Sequence, residues 1–412
     1  MGSKLTRLEK SWILYDVANS AFVLMISTLI PIYFKNIANE NGLAAYNSTA
    51  YFSYALSIST LIVAVLGPIL GTVADNKGYK KPLFMIFLFL GAVSCVFLSV
   101  PSTWLLFLII FIAARTGLSG SIIFYDSMIN DVTCDDKIDE VSSLGYAWGY
   151  IGSCVPFILC LLLVLFSNSF GLTRGISLRI SFVITAVWWI AITIPLLRNY
   201  RQIYYIDSND ISIKKGIIKL RVVFNEIKKN KHVLYFLIAF FFYIDGVYTI
   251  IEMATVYGRD VGLGDSSMLI ALLVTQFVAF PCSIILGRLS KKINIRNMIS
   301  VCIAAYVFVA LFAVQLHSAV EFWFLACFVG VFQGAIQALS ISYYARIIPK
   351  EKSSEYFGIY DIFGKGASFA GTIIMGVSTQ IFGTSKAGVL SIALMLAAGL
   401  AIFRLSTPKN IE

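Results

Sequence analysis

Gly67-Pro68-Ile69-Leu70-Gly71-Thr72-Val73-Ala74-Asp75-Asn76-Lys77-Gly78-Tyr79-Lys80-Lys81 joins two apolar runs, residues 49 to 72 and 82 to 100. Each run matches the roughly 20 residues that a helix needs to cross a bilayer. The stretch therefore reads as a short loop between two spanning helices. Gly71 lets neighbouring helices approach closely, Gly78 permits a tight turn, and the lysines hold the loop at the inner headgroups.

The rest of the chain extends this pattern. Hydrophobic residues make up 58% of 412 positions, charged residues 13%, and the mean hydropathy is +0.84, far more apolar surface than a soluble core could use. Apolar runs fall at 11 to 36, 49 to 72, 82 to 100, 103 to 127, 142 to 167, 179 to 197, 233 to 257, 265 to 287, 297 to 316, 321 to 345, 356 to 382 and 387 to 404. The chain is expected to be an all-α membrane protein with twelve spanning helices. With both termini inside, 25 Lys and Arg lie in cytoplasmic loops and tails against five outside (Lys35, Arg174, Arg179, Arg259, Lys386). This bias places both ends in the cytoplasm. It also accounts for the net charge of +10, which favours an anionic inner leaflet and does not imply a nucleic-acid partner.

Several classes drop out. Seven cysteines with no CxxC pair, mostly within spans, indicate packing rather than disulfides or a metal site. The two histidines, His232 and His317, sit at span ends, which argues against a metal centre or a membrane hydrolase. No cofactor is implied. The first apolar run is long enough to span and lacks a small-residue cleavage site, so it is expected to stay as an anchor.

The longest polar stretch divides the spans six and six, giving an N-terminal bundle (1–200), a cytoplasmic central loop (201–232) and a C-terminal bundle (233–412). Within that loop, Ile211 to Lys231 is partly amphipathic and reads either as a helix lying on the inner leaflet or as a solvated linker. The two halves echo each other. Gly71 and Gly287 each end a helix before a basic loop, and Gly145 with Tyr146 has a counterpart in Gly358 with Tyr360. Two six-helix repeats around a long loop suggest a secondary transporter with its site near the midplane.

Charges inside the spans are costly and need a reason. At about 1.5 Å per residue, Asp245 lies roughly 18 Å from the inner end of the seventh helix. By the same arithmetic Arg115 lies roughly 18 Å from the outer end of the fourth, and Asp16 only about 6 Å inside. Asp245 could carry a proton, and Arg115 could hold a substrate carboxylate or act as counter-charge. The alternative is an ion pair, Arg115 with Asp245 or Asp16, that merely joins the halves. Glu252 is two turns beyond Asp245 and is either an outer-gate residue or a solvated one. Asp361 and Lys365 are spaced to neutralise each other. Gln276, Gln333 and Gln337 could bind polar solute groups or bridge helices. The acidic run from Asp131 to Glu140 reads as a solvated loop.

The Gly71-x3-Asp75-x2-Gly78 loop with Lys80 and Lys81 resembles the signature between the second and third helices of the major facilitator superfamily. That resemblance implies that Asp75 holds a cytoplasmic gate by facing a helix N-terminus, and that helices 1, 4, 7 and 10 line a central cavity. Asp16, Arg115, Asp245, Gln333 and Gln337 fall on those four helices. In the second half Lys291 occupies the aspartate position, which leaves the role to Asp75 alone.

Four further blocks resemble the vacuole-effluxer family: Trp12 to Phe22 with Asp16, Asn19 and Ser20; Tyr243-Ile244-Asp245-Gly246; Thr275-Gln276 to Pro281; and Gln333 to Ser340 with Glu355 to Tyr360 and Lys365. The resemblance implies alternating-access movement of a small polar solute, amino acids first, with proton coupling as a hypothesis. It implies the plasma membrane for a bacterial member and a vacuolar or other internal membrane for a eukaryotic one. A monomer is expected. Rival expectations are a lipid or drug exporter, which needs a largely apolar cavity, and a non-transporting scaffold or sensor.

Overall fold

The computed structural model describes residues 4–43, 45–207, 222–260, 265–290, 292–382 and 384–405, and all the regular structure among them is helical. The helices are α1 (Arg7–Ser27), α2 (Leu29–Glu40), α3 (Ala45–Ala74), α4 (Lys80–Phe97), α5 (Trp104–Ser127), α6 (Ile129–Val132), α7 (Ile138–Leu165) and α8 (Arg174–Asn199). Then come α9 (222–229), α10 (Lys231–Asp260), α11 (Asp265–Leu289), α12 (Ile295–Ala313), α13 (Ala319–Ile347), α14 (Ser353–Phe382) and α15 (Ser385–Leu405).

Eleven segments among the described residues are long and apolar enough to cross a membrane, with α1 and α2 counted as one. The remaining long helix is α14, 30 residues that include Glu355, Asp361, Lys365 and several glycines. The long helices thus number twelve among the described residues, in the order read from the sequence. The first span is broken rather than continuous. Pro31 has no N–H to return to Ser27, and the Ser27 and Thr28 hydroxyls donate to the Leu24 carbonyl (3.0 and 2.6 Å).

The chain forms two compact units. Unit 1 comprises Met1–Val132, Trp148–Ile217 and Glu351–Gly358; unit 2 comprises Thr133–Ala147, Ile218–Lys350 and Ile359–Glu412. In unit 1, α1 packs on α8, and α5 on both α3 and α4. A Cβ on Gly117 would overlap the Gly91 backbone, so these glycines set the close crossing of α4 and α5. In unit 2, α11 packs on α13, and α15 on α10 and α12. Capping boxes start α1 (Thr6 with Glu9) and α13 (Ser318 with Glu321).

The units share one internal device. In unit 1 the Tyr15 hydroxyl donates to Ser121 Oγ on α5 at 2.7 Å. In unit 2 the Tyr243 hydroxyl is 2.7 Å from Ser340 Oγ on α13. All four side chains are buried, so each bond spares two polar groups from desolvation.

The central loop only partly lies among the described residues. Residues 208–221 fall outside them, while 222–229 form α9 with Val223 and Ile227 buried at helical spacing. The start of the expected loop is no free linker. Ile206 N–H donates to the Asp75 carbonyl (2.8 Å), and Gln202 accepts from Gly78 N–H (3.0 Å) and donates to the Ala74 carbonyl (3.1 Å).

Candidate functional site

Asp75 follows the last residue of α3 and is fully buried in unit 1. Its Oδ1 accepts from Ser354 N–H at 2.9 Å and its Oδ2 from Glu355 N–H at 3.0 Å, so it caps the first turn of α14. The first amides of a helix have no partner within it and carry its positive end, so a carboxylate fits there. Gly71 makes the approach possible. A Cβ at that position would lie 2.6 Å from the Ser354 carbonyl and 2.8 Å from Glu355 Cα. Gly78 turns the loop with φ +81°, a conformation that favours glycine. Burial pushes the Asp75 carboxyl up to about 6, against the pull of Lys80 and of the two N–H donors.

Two sequence expectations are corrected here. Lys80 does not reach the headgroups: it is fully buried, 3.1 Å from Asp131 Oδ2 and 2.9 Å from Ser353 Oγ. Lys81 is half-buried. The acidic run is solvated only in its middle, at Asp135 and Asp136, and buried at both ends. Asp131, 3% exposed, also accepts from the Tyr200 hydroxyl (2.6 Å) and from the Ile203 and Tyr204 amides (3.0 and 2.8 Å). Burial and the Asp131 charge push the Tyr200 phenol up, so it stays a donor.

The remaining acids of that run serve unit 2. Asp139, in the first turn of α7, lies 2.8 Å from Arg346 and accepts from Ser290 Oγ at 3.1 Å. Asp135 pairs with Lys350 at 2.9 Å, and Glu140 lies 3.9 Å from Arg288. The polarity is reversed from unit 1, where the loop supplies the acid to the helix; here Asp139 and Glu140 in the first turn of α7 meet cations in the last turns of α13 and α11. Lys291 lies outside the described residues.

Asp245 is fully buried on α10 in unit 2. Its Oδ1 accepts from the Gly371 N–H in the middle of α14 at 2.9 Å and from Thr249 Oγ1 at 3.4 Å. Its Oδ2 has no hydrogen-bond partner among the described residues. A Cβ on Gly371 would overlap Asp245 Oδ1 and Thr249 Oγ1, so only glycine brings this amide to the carboxylate. Nothing in the sequence pointed to Gly371; its one signal is its place in a glycine-rich stretch of α14.

Thr249 also lines a cavity of about 110 Å³ in unit 2, whose other polar residues are Thr275, Gln276 and Gln333. The Thr275 hydroxyl is turned away to the Ala271 and Ala326 carbonyls (2.9 and 3.2 Å), which leaves the walls mostly apolar. Gln333 is 7% exposed, and its backbone carbonyl accepts from Gln337 Nε2 at 3.1 Å. Glu252 is exposed and Arg115 half-buried. Asp16 is half-buried against Gly149 of α7, and Asn19, one turn along, is buried. The Lys365 side chain lies outside the described residues, so its pairing with Asp361 does too. Asp16, Asn19 and Arg115 belong to unit 1; Asp245, Glu252, Gln333, Gln337 and Lys365 belong to unit 2.

The family model for vacuole effluxer Atg22-like proteins matches residues 44–137 and 130–410. The chain belongs to this Atg22-like family. Among its relatives, the "uncharacterized MFS-type transporter YxiO" of Bacillus subtilis (strain 168) is 41% identical over 407 residues, covering 98% of this chain and 95% of that protein. Autophagy-related protein 22 of Coccidioides immitis (strain RS) is 23% identical over 442 residues, 85% of this chain and 71% of its own. The fold of this Atg22-like chain is that of the major facilitator superfamily. The transporter FucP in its outward conformation superposes with a TM-score of 0.72 at 14% identity over 98% of each chain. The human organic anion transporter MFSD10 gives 0.71 at 12% identity over 96% of this chain and 99% of its own. This Atg22-like protein is a multi-pass membrane transporter of that superfamily.

Proposed function

We propose that the chain moves a small polar solute, amino acids first, by alternating access, with Asp245 as the group that couples movement to protons. The observation that carries this reading is the Asp245 carboxylate: buried in the bilayer-spanning part of α10, half satisfied by a helix amide, and with Oδ2 lacking a partner among the described residues. An intramembrane carboxylate left in that state is costly unless it is used. A proton added at Oδ2 weakens Oδ1 as an acceptor and so loosens the Gly371 amide. The helix loosened is α14, whose first turn Asp75 caps. Gly71, Asp75, Gly78, Lys80 and Lys81 form that gate. Arg115, Asp16, Asn19, Glu252, Gln333, Gln337 and Lys365 serve the solute pathway.

The test uses proteoliposomes loaded with a mixture of isotope-labelled amino acids, with exchange followed by mass spectrometry. Exchange above protein-free vesicles supports the reading, and its absence for every amino acid removes that substrate class. The mostly apolar cavity beside Thr249 favours a second reading, an apolar or amphipathic solute. Loss of fluorescent lipophilic amines from the same vesicles, with amino acids retained, would select it.

A further inference from the structure

The N-terminal end of α1 and the C-terminal end of α8 enclose a cleft of about 270 Å³ in unit 1, at the cytoplasmic face set by the positive-inside count. Three cations, Arg7, Lys10 and Arg198, line it, and no carboxylate does. None of the three forms an ion pair among the described residues. Glu9, the acid nearest in sequence, is 2% exposed and spent on the α1 capping box, where it accepts from Thr6 N–H at 2.6 Å.

Two of the cations are placed against the helix dipole. Arg7 and Lys10 lie at the positive end of α1, where a cation is disfavoured and a bound anion would be favoured. The two helix ends are fixed to each other: Asn199 Nδ2 donates to Ser11 Oγ, which donates to the Arg7 carbonyl, both at 2.8 Å. The spacing of the cations is therefore built in.

The lining changes character with depth. Leu14 and Ile194 lie one turn deeper than Lys10 and Arg198, about 6 Å by helical rise, and are 37% and 38% exposed. Cations at the headgroup level above an apolar wall match a ligand with a phosphodiester above a hydrocarbon chain. Charge that served only to orient the chain in the membrane would need neither a cleft nor this wall.

We propose that this cleft binds one anionic phospholipid of the cytoplasmic leaflet, its phosphate among Arg7, Lys10 and Arg198 and the start of an acyl chain over Leu14 and Ile194. None of the residues lining the cleft is among those assigned to the solute pathway or the inner gate.

The test compares the full-length protein with two variants of equal charge loss: Arg7→Gln/Lys10→Gln/Arg198→Gln in the cleft and Lys229→Gln/Lys231→Gln/Lys292→Gln on exposed positions elsewhere. Native mass spectrometry counts retained lipid, and thermal unfolding is followed with added phosphatidylglycerol or phosphatidylcholine. The expected result is one retained phosphatidylglycerol and a phosphatidylglycerol-specific rise in Tm for the wild type and the control variant, both lost in the cleft variant. Arg198→Gln alone, which keeps the Asn199–Ser11 link, should weaken phosphatidylglycerol binding about fivefold, the equivalent of about 1 kcal/mol per cation. Equal loss in both triple variants, or no change in Arg198→Gln, would mean diffuse surface attraction and overturn the proposal. A Tm rise of the same size with glycerol 3-phosphate or inorganic phosphate would instead mark a soluble-anion site and overturn the lipid assignment.

Discussion

Replacing Gly71 with alanine should undock the first turn of α14. The new Cβ would sit 2.6 Å from the Ser354 carbonyl oxygen and 2.9 Å from Glu355 N, both rigid backbone atoms. Restoring ordinary contact near 3.4 Å requires a retreat of about 0.8 Å. The Asp75 hydrogen bonds to Ser354 and Glu355, now 2.9 and 3.0 Å, would lengthen to about 3.7 Å, beyond useful range. Bonds to a charged group contribute about 1.5–3 kcal/mol each. Losing even half of the pair costs about 1.5–3 kcal/mol, about ten- to a hundredfold in the docked population. Hydrogen–deuterium exchange of peptides covering 351–358 reads this directly, because helix-start amides are protected only by an outside acceptor. Gly366→Ala is the control, since its Cβ would meet nothing within 4 Å. The expected result is exchange at Ser354 and Glu355 accelerated about ten- to a hundredfold in Gly71→Ala and unchanged in Gly366→Ala. Fast exchange in the wild type, or no change in Gly71→Ala, would refute the reasoning.

Overall stability should report on pH. Burial raises Asp75 from 3.8 to about 6 in the folded protein, so between those values the folded state holds a proton that the unfolded state has lost. The contribution of this group is therefore fully present at low pH and is lost as pH rises through about 6. The folding equilibrium constant should fall about tenfold between pH 5 and pH 7 in denaturant unfolding, and Asp75→Asn should flatten that profile. Lys80→Met leaves the buried Asp131 carboxylate without its cation and should lower stability by about 3–5 kcal/mol. That loss is read by thermal unfolding, with part of it recovered in Lys80→Met/Asp131→Asn. Tyr15→Phe and Tyr243→Phe each delete one buried hydroxyl bond. The serine partner keeps its bond to Leu118 or Ile336, so each variant should cost about 1 kcal/mol and the two should agree in unfolding measurements.

Much of this fold can be read in the sequence because each level agrees with the next. Apolar length gives the spans. The role of Asp75 follows from chemistry confined to one loop, a carboxylate after Gly71 and before a tight turn at Gly78. What the sequence does not reveal depends on partners remote along the chain. Lys80 looks like a headgroup lysine until Asp131, 51 positions away, is seen to bury it. The run from Asp131 to Glu140 looks solvated throughout because the partners that bury its ends, Tyr200, Ser290 and Arg346, are remote along the chain. The difference between Asp16 and Asp245 has a local cause. Tyr15 and Tyr243 play the same part, but Asp16 is one residue beyond its tyrosine and Asp245 two, about 100° further around the helix. Gly371 carries no side chain to flag it, and only its bond to Asp245 reveals its part.

The coupling role of Asp245 is tested most directly by amino-acid accumulation in proteoliposomes under an imposed pH gradient, comparing wild type with Asp245→Asn. The account predicts accumulation that follows the gradient in the wild type and only gradient-independent exchange in Asp245→Asn. Accumulation that still follows the gradient in Asp245→Asn would contradict it.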